Sequence, residues 1–196
     1  MKVIGVGCGP GLLTEEAIVA LKEATLVFGS ERAIGIARKY ITPGCRTEVL
    51  KEYRDLDRLP HDSVLLSTGD PMLEGLGRYG EAVIPGISSL QLAACRLRIP
   101  LTRLIAVSAH GRGIELARED VLRILDKGDV ACLLTAPSFD MCGFCGNLAG
   151  AYPGTTVALC EELGYPGERI ATGSVECPPE VRSPLFIVII GKYGSE

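Results

Sequence analysis

Tryptophan is absent from this chain of 196 residues, and only 5% of its residues are aromatic. A surface that stacks exposed bases needs aromatic platforms, so a single-strand nucleic-acid binder is disfavoured at once. Lysine and arginine do not cluster into runs, and the formal net charge is −4, so no basic groove is expected either. Long apolar stretches are also missing. The longest purely aliphatic or aromatic run, Leu185 to Ile190, is far too short to span a bilayer. Met1-Lys2 leads straight into Val3-Ile4-Gly5-Val6, without a charged leader, apolar stretch and cleavage site in succession. No export signal is read, and a cytoplasmic protein is expected. Histidine is scarce: His61 and His110 are far apart and not at ligand spacing.

The eight cysteines, Cys8, Cys45, Cys95, Cys132, Cys142, Cys145, Cys160 and Cys177, stand mostly alone inside apolar segments, where thiols behave as small core hydrophobes. Only Cys142-Gly143-Phe144-Cys145 has ligand-like spacing, and a zinc site asks for a second pair or nearby histidines. No metal site is assigned.

What is present is alternation. Lys2 to Val6 predicts a strand, Gly7-Cys8-Gly9-Pro10-Gly11 a glycine-rich turn, and Thr14 the cap of a helix to Ala24 with Glu15 and Glu16 in its first turn. Strand, glycine loop and helix together suggest a dinucleotide fold, but the next strand, Leu26 to Phe28, ends in Gly29-Ser30. The acidic residue that would hold a nicotinamide cofactor's ribose is missing. Ser30 caps a helix over 31–39, and a short strand follows near Thr47 to Leu50. Val64 to Ser67 is a buried strand that opens into Thr68-Gly69-Asp70-Pro71, the tight loop at a strand's carboxyl end where open α/β sheets take ligands. Ala82 to Ile84 predicts a further strand, then Pro85-Gly86-Ile87-Ser88-Ser89 and a helix from Leu90. Ile99 to Arg103 is a junction, with a domain 1–102 before it and a domain 103–196 after it. In the second domain, strands over 104–107, 130–134 and 156–159 alternate with helices over 118–125 and 139–148. Arg169 to Ser174 and Leu185 to Ile190 predict two closing strands of an antiparallel finish.

Taken in order, the loops Gly7 to Gly11, Ser67 to Gly77, Pro85 to Ser89, Ser108-Ala109-His110-Gly111-Arg112 and Leu159 to Ile170 resemble those of the tetrapyrrole (corrin/porphyrin) methylase family. The Ser-x-His-Gly-Arg and Glu-x-Leu-Gly-Tyr-Pro-x-Glu-Arg-Ile motifs resemble its cobalamin-pathway branch, the precorrin-6Y or cobalt-precorrin-7 C5-methyltransferases. The resemblance runs end to end and implies an α/β architecture of two domains, each a mixed, mostly parallel sheet with flanking helices. It implies a homodimer that uses S-adenosylmethionine, held between the domains, to methylate C5 of a corrin precursor. Carried over by motif, Pro10, Thr68, Gly69, Asp70, Leu73, Ser88 and Ser89 would face the cofactor from the first domain, and Thr135 and Leu163 from the second. His110 and Arg112 are the catalytic candidates, for proton handling and for a substrate carboxylate, with Arg169 a further carboxylate contact. C15 methylation and decarboxylation would fall to a separate partner enzyme. Competing readings within the fold are a diphthine synthase and a non-catalytic tetrapyrrole-binding module. The chain departs from the branch in three places. Leu12 follows Gly11 directly, Leu73 and Glu74 stand where the branch often carries aromatics, and Phe139 to Gly150 does not match closely.

Overall fold

The computed structural model describes residues 1–110 and 113–193. The chain divides into two compact units, Met1–Ser89 and Leu90–Glu196, each built on its own five-stranded sheet. The sequence-based boundary after Thr102 lies further along. A helix therefore goes with the second unit in all but its first residue, although the sequence reading gives it to the first domain.

In the first unit β1 (Lys2–Gly5), β2 (Leu26–Gly29), β3 (Arg46–Val49), β4 (Val64–Ser67) and β5 (Ala82–Ile84) stand in the order β3-β2-β4-β1-β5. Every pairing is parallel. The carboxyl ends of β1, β4 and β5, on which the motif loops sit, are thereby adjacent at one end of the sheet. Both helices start where the cap residues place them. Thr14 accepts from Ala17 N at 3.2 Å ahead of α1 (Glu15–Glu23), and Ser30 accepts from Ala33 N at 3.1 Å ahead of α2 (Glu31–Ala37). α1 buries Ala17, Ala20 and Leu21, three positions of one helical face. Met1, Val3, Phe28, Leu56 and Leu65 form a core cluster on the sheet.

The second unit begins one residue into α3 (Ser89–Leu97). It continues as β6 (Leu104–Ser108), α4 (Ile114–Asp126), β7 (Val130–Leu134), α5 (Met141–Ala149), β8 (Thr156–Glu161), β9 (Arg169–Ser174) and β10 (Phe186–Gly191). Its order is β6-β7-β10-β8-β9. Only β6 and β7 run parallel; β10 is antiparallel to both β7 and β8, and β9 is antiparallel to β8. The expected mixed, mostly parallel α/β architecture is thus found, unevenly shared. Four of the parallel pairings belong to the first sheet and one to the second, against three antiparallel ones. The two closing strands are both antiparallel to β8, as expected, and flank it rather than pairing with each other. β10 inserts between β7 and β8, and all six of its residues are buried. A run that is apolar at every position belongs in the middle of a sheet covered on both faces, which is why Phe186 to Ile190 cannot serve as an edge. One face packs Ala131, Leu133, Val157, Leu159, Val188 and Ile190 in a cluster that includes Val121 and Phe144 from α4 and α5.

Candidate functional site

The three loops above the first sheet are tied together through their backbones. Gly7 and Gly69 exchange N–H···O bonds of 3.2 and 2.9 Å, Cys8 N donates to Ile87 O at 2.9 Å, and Ile87 N donates to Leu12 O at 3.1 Å. Thr14 adds a side-chain link, its hydroxyl donating to Pro85 O at 3.1 Å. Where the loops cross there is no room for side chains. A Cβ on Gly5 would lie 2.5 Å from Gly86 N and 2.8 Å from Gly69 O, and one on Gly86 would lie 2.6 Å from Gly69 O. Such separations are impossible for carbon, so the sequence must carry glycine at both places.

The Gly-Asp-Pro loop is braced from within. Gly69 takes φ +70°, Asp70 Oδ1 accepts from Met72 N at 2.8 Å, and Leu73 N closes a turn on Asp70 O at 3.1 Å. Asp70 therefore shapes the loop through a charge-assisted bond to the backbone. Thr68 Oγ1 accepts a 3.1 Å bond from Arg32 Nη2 on α2. Sequence reasoning passed over Arg32, since 36 residues separate it from Thr68 and no local motif links them. Pro10 is exposed on the first loop, Ser88 is buried, and Leu73 and Ser89 are partly exposed. The structure brings Pro10, Thr68, Gly69, Asp70, Leu73, Ser88 and Ser89 to one end of one sheet.

In the second unit β7 and β8 point the same way, because both are antiparallel to β10, and β6 is parallel to β7. His110, Thr135 and Leu163 consequently follow the carboxyl ends of β6, β7 and β8 at a common end of that sheet. His110 is exposed, with its carbonyl accepting from Ser108 Oγ at 3.4 Å. Thr135 and Leu163 are buried, and the Thr135 hydroxyl donates to Phe186 O at 3.1 Å. Arg112 lies outside the described residues.

Arg169, expected as a carboxylate contact, is committed elsewhere. Its guanidinium is paired with Glu161 and donates to Glu180 O at 3.2 Å. Glu161 is 2% exposed and also accepts from Arg182 N at 2.5 Å and Ser183 N at 2.8 Å. Burial alone would push its carboxyl up, but the Arg182 N–H, Arg169 and the Ser183 N–H together hold it below the ordinary value. Glu168 accepts from Arg96 Nε at 2.5 Å and from Gly164 N at 2.8 Å. The Glu161-to-Ile170 motif thus shapes the loop around Leu163 more than it offers charge to a ligand.

The Cys-x-x-Cys pair belongs to a helix start. Asp140 caps α5 by accepting from Gly143 N at 3.0 Å; Cys142 is exposed, and Cys145 packs in the core. Burial first, then Cys142 and Asp140, push the Cys145 thiol up to about 12, so it is no nucleophile at neutral pH. Among the described residues no group of three His, Cys, Asp or Glu is placed to hold a metal ion, and no helix is long and apolar enough to cross a membrane. The double variant Cys142→Ser/Cys145→Ser is expected to lose about 1–2 kcal/mol of stability, from a buried hydroxyl, while keeping its activity. Chemical denaturation alongside a turnover assay checks both.

The profile of the family Tetrapyrrole (Corrin/Porphyrin) Methylases matches residues 2–178. The chain belongs to that family. It is 30% identical over 189 residues to a protein of Methanocaldococcus jannaschii named probable cobalt-precorrin-7 C(5)-methyltransferase, covering 87% of this chain and 88% of that one. Among solved structures, the cobalamin-biosynthesis precorrin-6Y methylase of Archaeoglobus fulgidus superposes with a TM-score of 0.77 at 25% identity, over 99% of this chain and 98% of the other. The uroporphyrin-III C-methyltransferase of Thermus thermophilus, solved with S-adenosyl homocysteine, gives 0.72 at 25% identity over 97% and 96%. A methyltransferase of this family, with two α/β units, is therefore what the sequence encodes.

Proposed function

We propose that the chain transfers a methyl group from S-adenosylmethionine to C5 of a late corrin precursor, precorrin-6Y or cobalt-precorrin-7. The observation that carries this reading is the 30% identity to the Methanocaldococcus jannaschii protein across nearly the full length of both chains. The glycine crossing fits the cofactor, since it holds the loops of Pro10, of Thr68 to Asp70 and of Ser88 together, and polar groups converging from three loops suit a ligand that carries an amino acid and a nucleoside. In this reading Gly69, Asp70 and the Thr68 backbone hold its polar end, with Pro10, Leu73, Ser88 and Ser89 around it. When bound, the cofactor supplies the electrophilic methyl carbon.

What the protein must do is hold the acceptor carbon in line and keep water out, so no activated nucleophile is needed. His110 is placed on an exposed loop, where an imidazole can take the proton that the methylated carbon sheds. Arg112 would face a carboxylate of the acceptor. A cytoplasmic homodimer is the proposed working form, with C15 methylation and decarboxylation left to a separate enzyme.

Incubation with methyl-labelled cofactor tests the reading. Label should enter cobalt-precorrin-7 or precorrin-6Y at C5; label in a translation factor, or binding without turnover, would overturn it. Asp70→Ala should weaken binding of S-adenosyl homocysteine by about 1–3 kcal/mol, as the bond to Met72 N is lost and the loop relaxes. Unchanged affinity by calorimetry would remove this loop from the site.

A further inference from the structure

We propose that Arg32 is the first unit's recognition residue for a carboxylate of the acceptor, with Thr68 as its orienting partner; this rests on the function proposed above. β2 lies beside β4 in the sheet, so α2, which starts directly after β2 on its Ser30 cap, places its second residue next to the residue that follows β4. Arg32 is exposed there and donates from Nη2 to Thr68 Oγ1 at 3.1 Å. Arg46, Arg54 and Arg58 of the same unit each face a carboxylate, whereas among the described residues Arg32, like Arg38 and Arg78, faces none, and Arg32 alone of these three is held against a motif loop. A guanidinium has five N–H donors in a planar fork, and a single neutral hydroxyl leaves most of that fork unused. The bond also sets the hydroxyl's polarity. An oxygen that accepts from Arg32 must turn its own proton away, which makes Thr68 a donor toward a second acceptor. Two donors side by side, one of them cationic, match a carboxylate.

The acceptor is the better source of that carboxylate. S-adenosylmethionine balances its carboxylate with its own ammonium and adds a sulfonium, so it gains little from a further cation. A corrin precursor carries many uncompensated carboxylates around an apolar ring. Met72, 72% exposed on the same loop as Thr68, offers the apolar surface such a ring needs.

Three measurements on the full chain test this with Arg32→Gln and Arg32→Lys, surface changes that leave the core untouched. With cobalt-precorrin-7, the KM for the acceptor should rise by about tenfold or more in Arg32→Gln, and less in Arg32→Lys, with kcat changed by less than about threefold. Binding of S-adenosyl homocysteine should stay within about twofold of native. Binding of uroporphyrin, a polycarboxylate probe followed by fluorescence, should weaken by about tenfold in Arg32→Gln and lose part of its salt dependence. An unchanged KM, unchanged uroporphyrin binding, or a loss that falls on S-adenosyl homocysteine would each overturn the proposal. The porphyrin arm needs no turnover, so it decides the role of Arg32 even if the native chain proves inactive on cobalt-precorrin-7, a result that would count against the proposed function alone.

Discussion

Gly86→Ala is expected to destabilise the first unit by about 3 kcal/mol and to abolish measurable binding of S-adenosyl homocysteine. The added methyl would sit 2.6 Å from Gly69 O and 2.7 Å from Gly5 O, and both obstacles are backbone atoms that no rotamer change can move. Relief requires the loops after β1, β4 and β5 to separate, which breaks the Gly7–Gly69 exchange and the bonds between Leu12, Cys8 and Ile87. The damage therefore falls on the same loops to which the cofactor is assigned. Gly35→Ala is the control. That glycine is exposed on α2 with nothing within 4 Å of a built Cβ, so alanine there should raise stability by about 0.5–1 kcal/mol and leave binding alone. Calorimetry and urea denaturation of both variants check the pair. A Gly86→Ala protein that binds normally would detach the crossing from the site.

The loops that make this crossing were legible in the sequence, because glycine, proline and short strands mark loops through local chemistry, but their crossing was not. The Thr14 and Ser30 caps were equally visible, since each acts on a backbone N–H three residues away. What escaped was set by distance along the chain. Nothing local in Phe186 to Ile190 says that it enters between β7 and β8; the choice is made by the need to cover both faces of an apolar strand. Arg32 was invisible for the same reason, since its partner Thr68 becomes a neighbour only when β2 and β4 pair. Arg169 was legible but read for the wrong chemistry. Glu161 and Arg169 are directly opposed in the antiparallel register of β8 and β9, and an acid and a base facing each other across such a pair are each other's natural partners. A motif that distinguishes one branch of a family can do so by fixing a loop, and the Glu161-to-Ile170 segment is built that way.

Glu161→Ala should accordingly destabilise the second unit by about 3–5 kcal/mol, as much as truncating a large core side chain. It strips the carboxylate partner from Arg169 and leaves the N–H groups of Arg182 and Ser183 without their acceptor in a part-buried place. Glu161→Gln separates the two contributions. Both backbone N–H groups go to Oε1, which an amide oxygen can replace, while Oε2 faces Arg169, where the amide NH2 would oppose a guanidinium. A cost of about 1–3 kcal/mol is expected for the amide, all of it from the Arg169 side. The charge also imposes a pH dependence. The folded protein holds the Glu161 carboxyl below its ordinary value of about 4.3, so the charged form is the one that folding favours. Its stabilisation is complete above the unfolded value and drains away as pH falls through the lower folded one. Native protein should therefore lose stability below about pH 4.3 more steeply than Glu161→Gln, which has no proton to take up at this position. Urea denaturation between neutral and acid pH measures the difference. Parallel acid profiles, or a Glu161→Ala protein as stable as native, would mean that the loop around Leu163 is held by something other than this carboxylate.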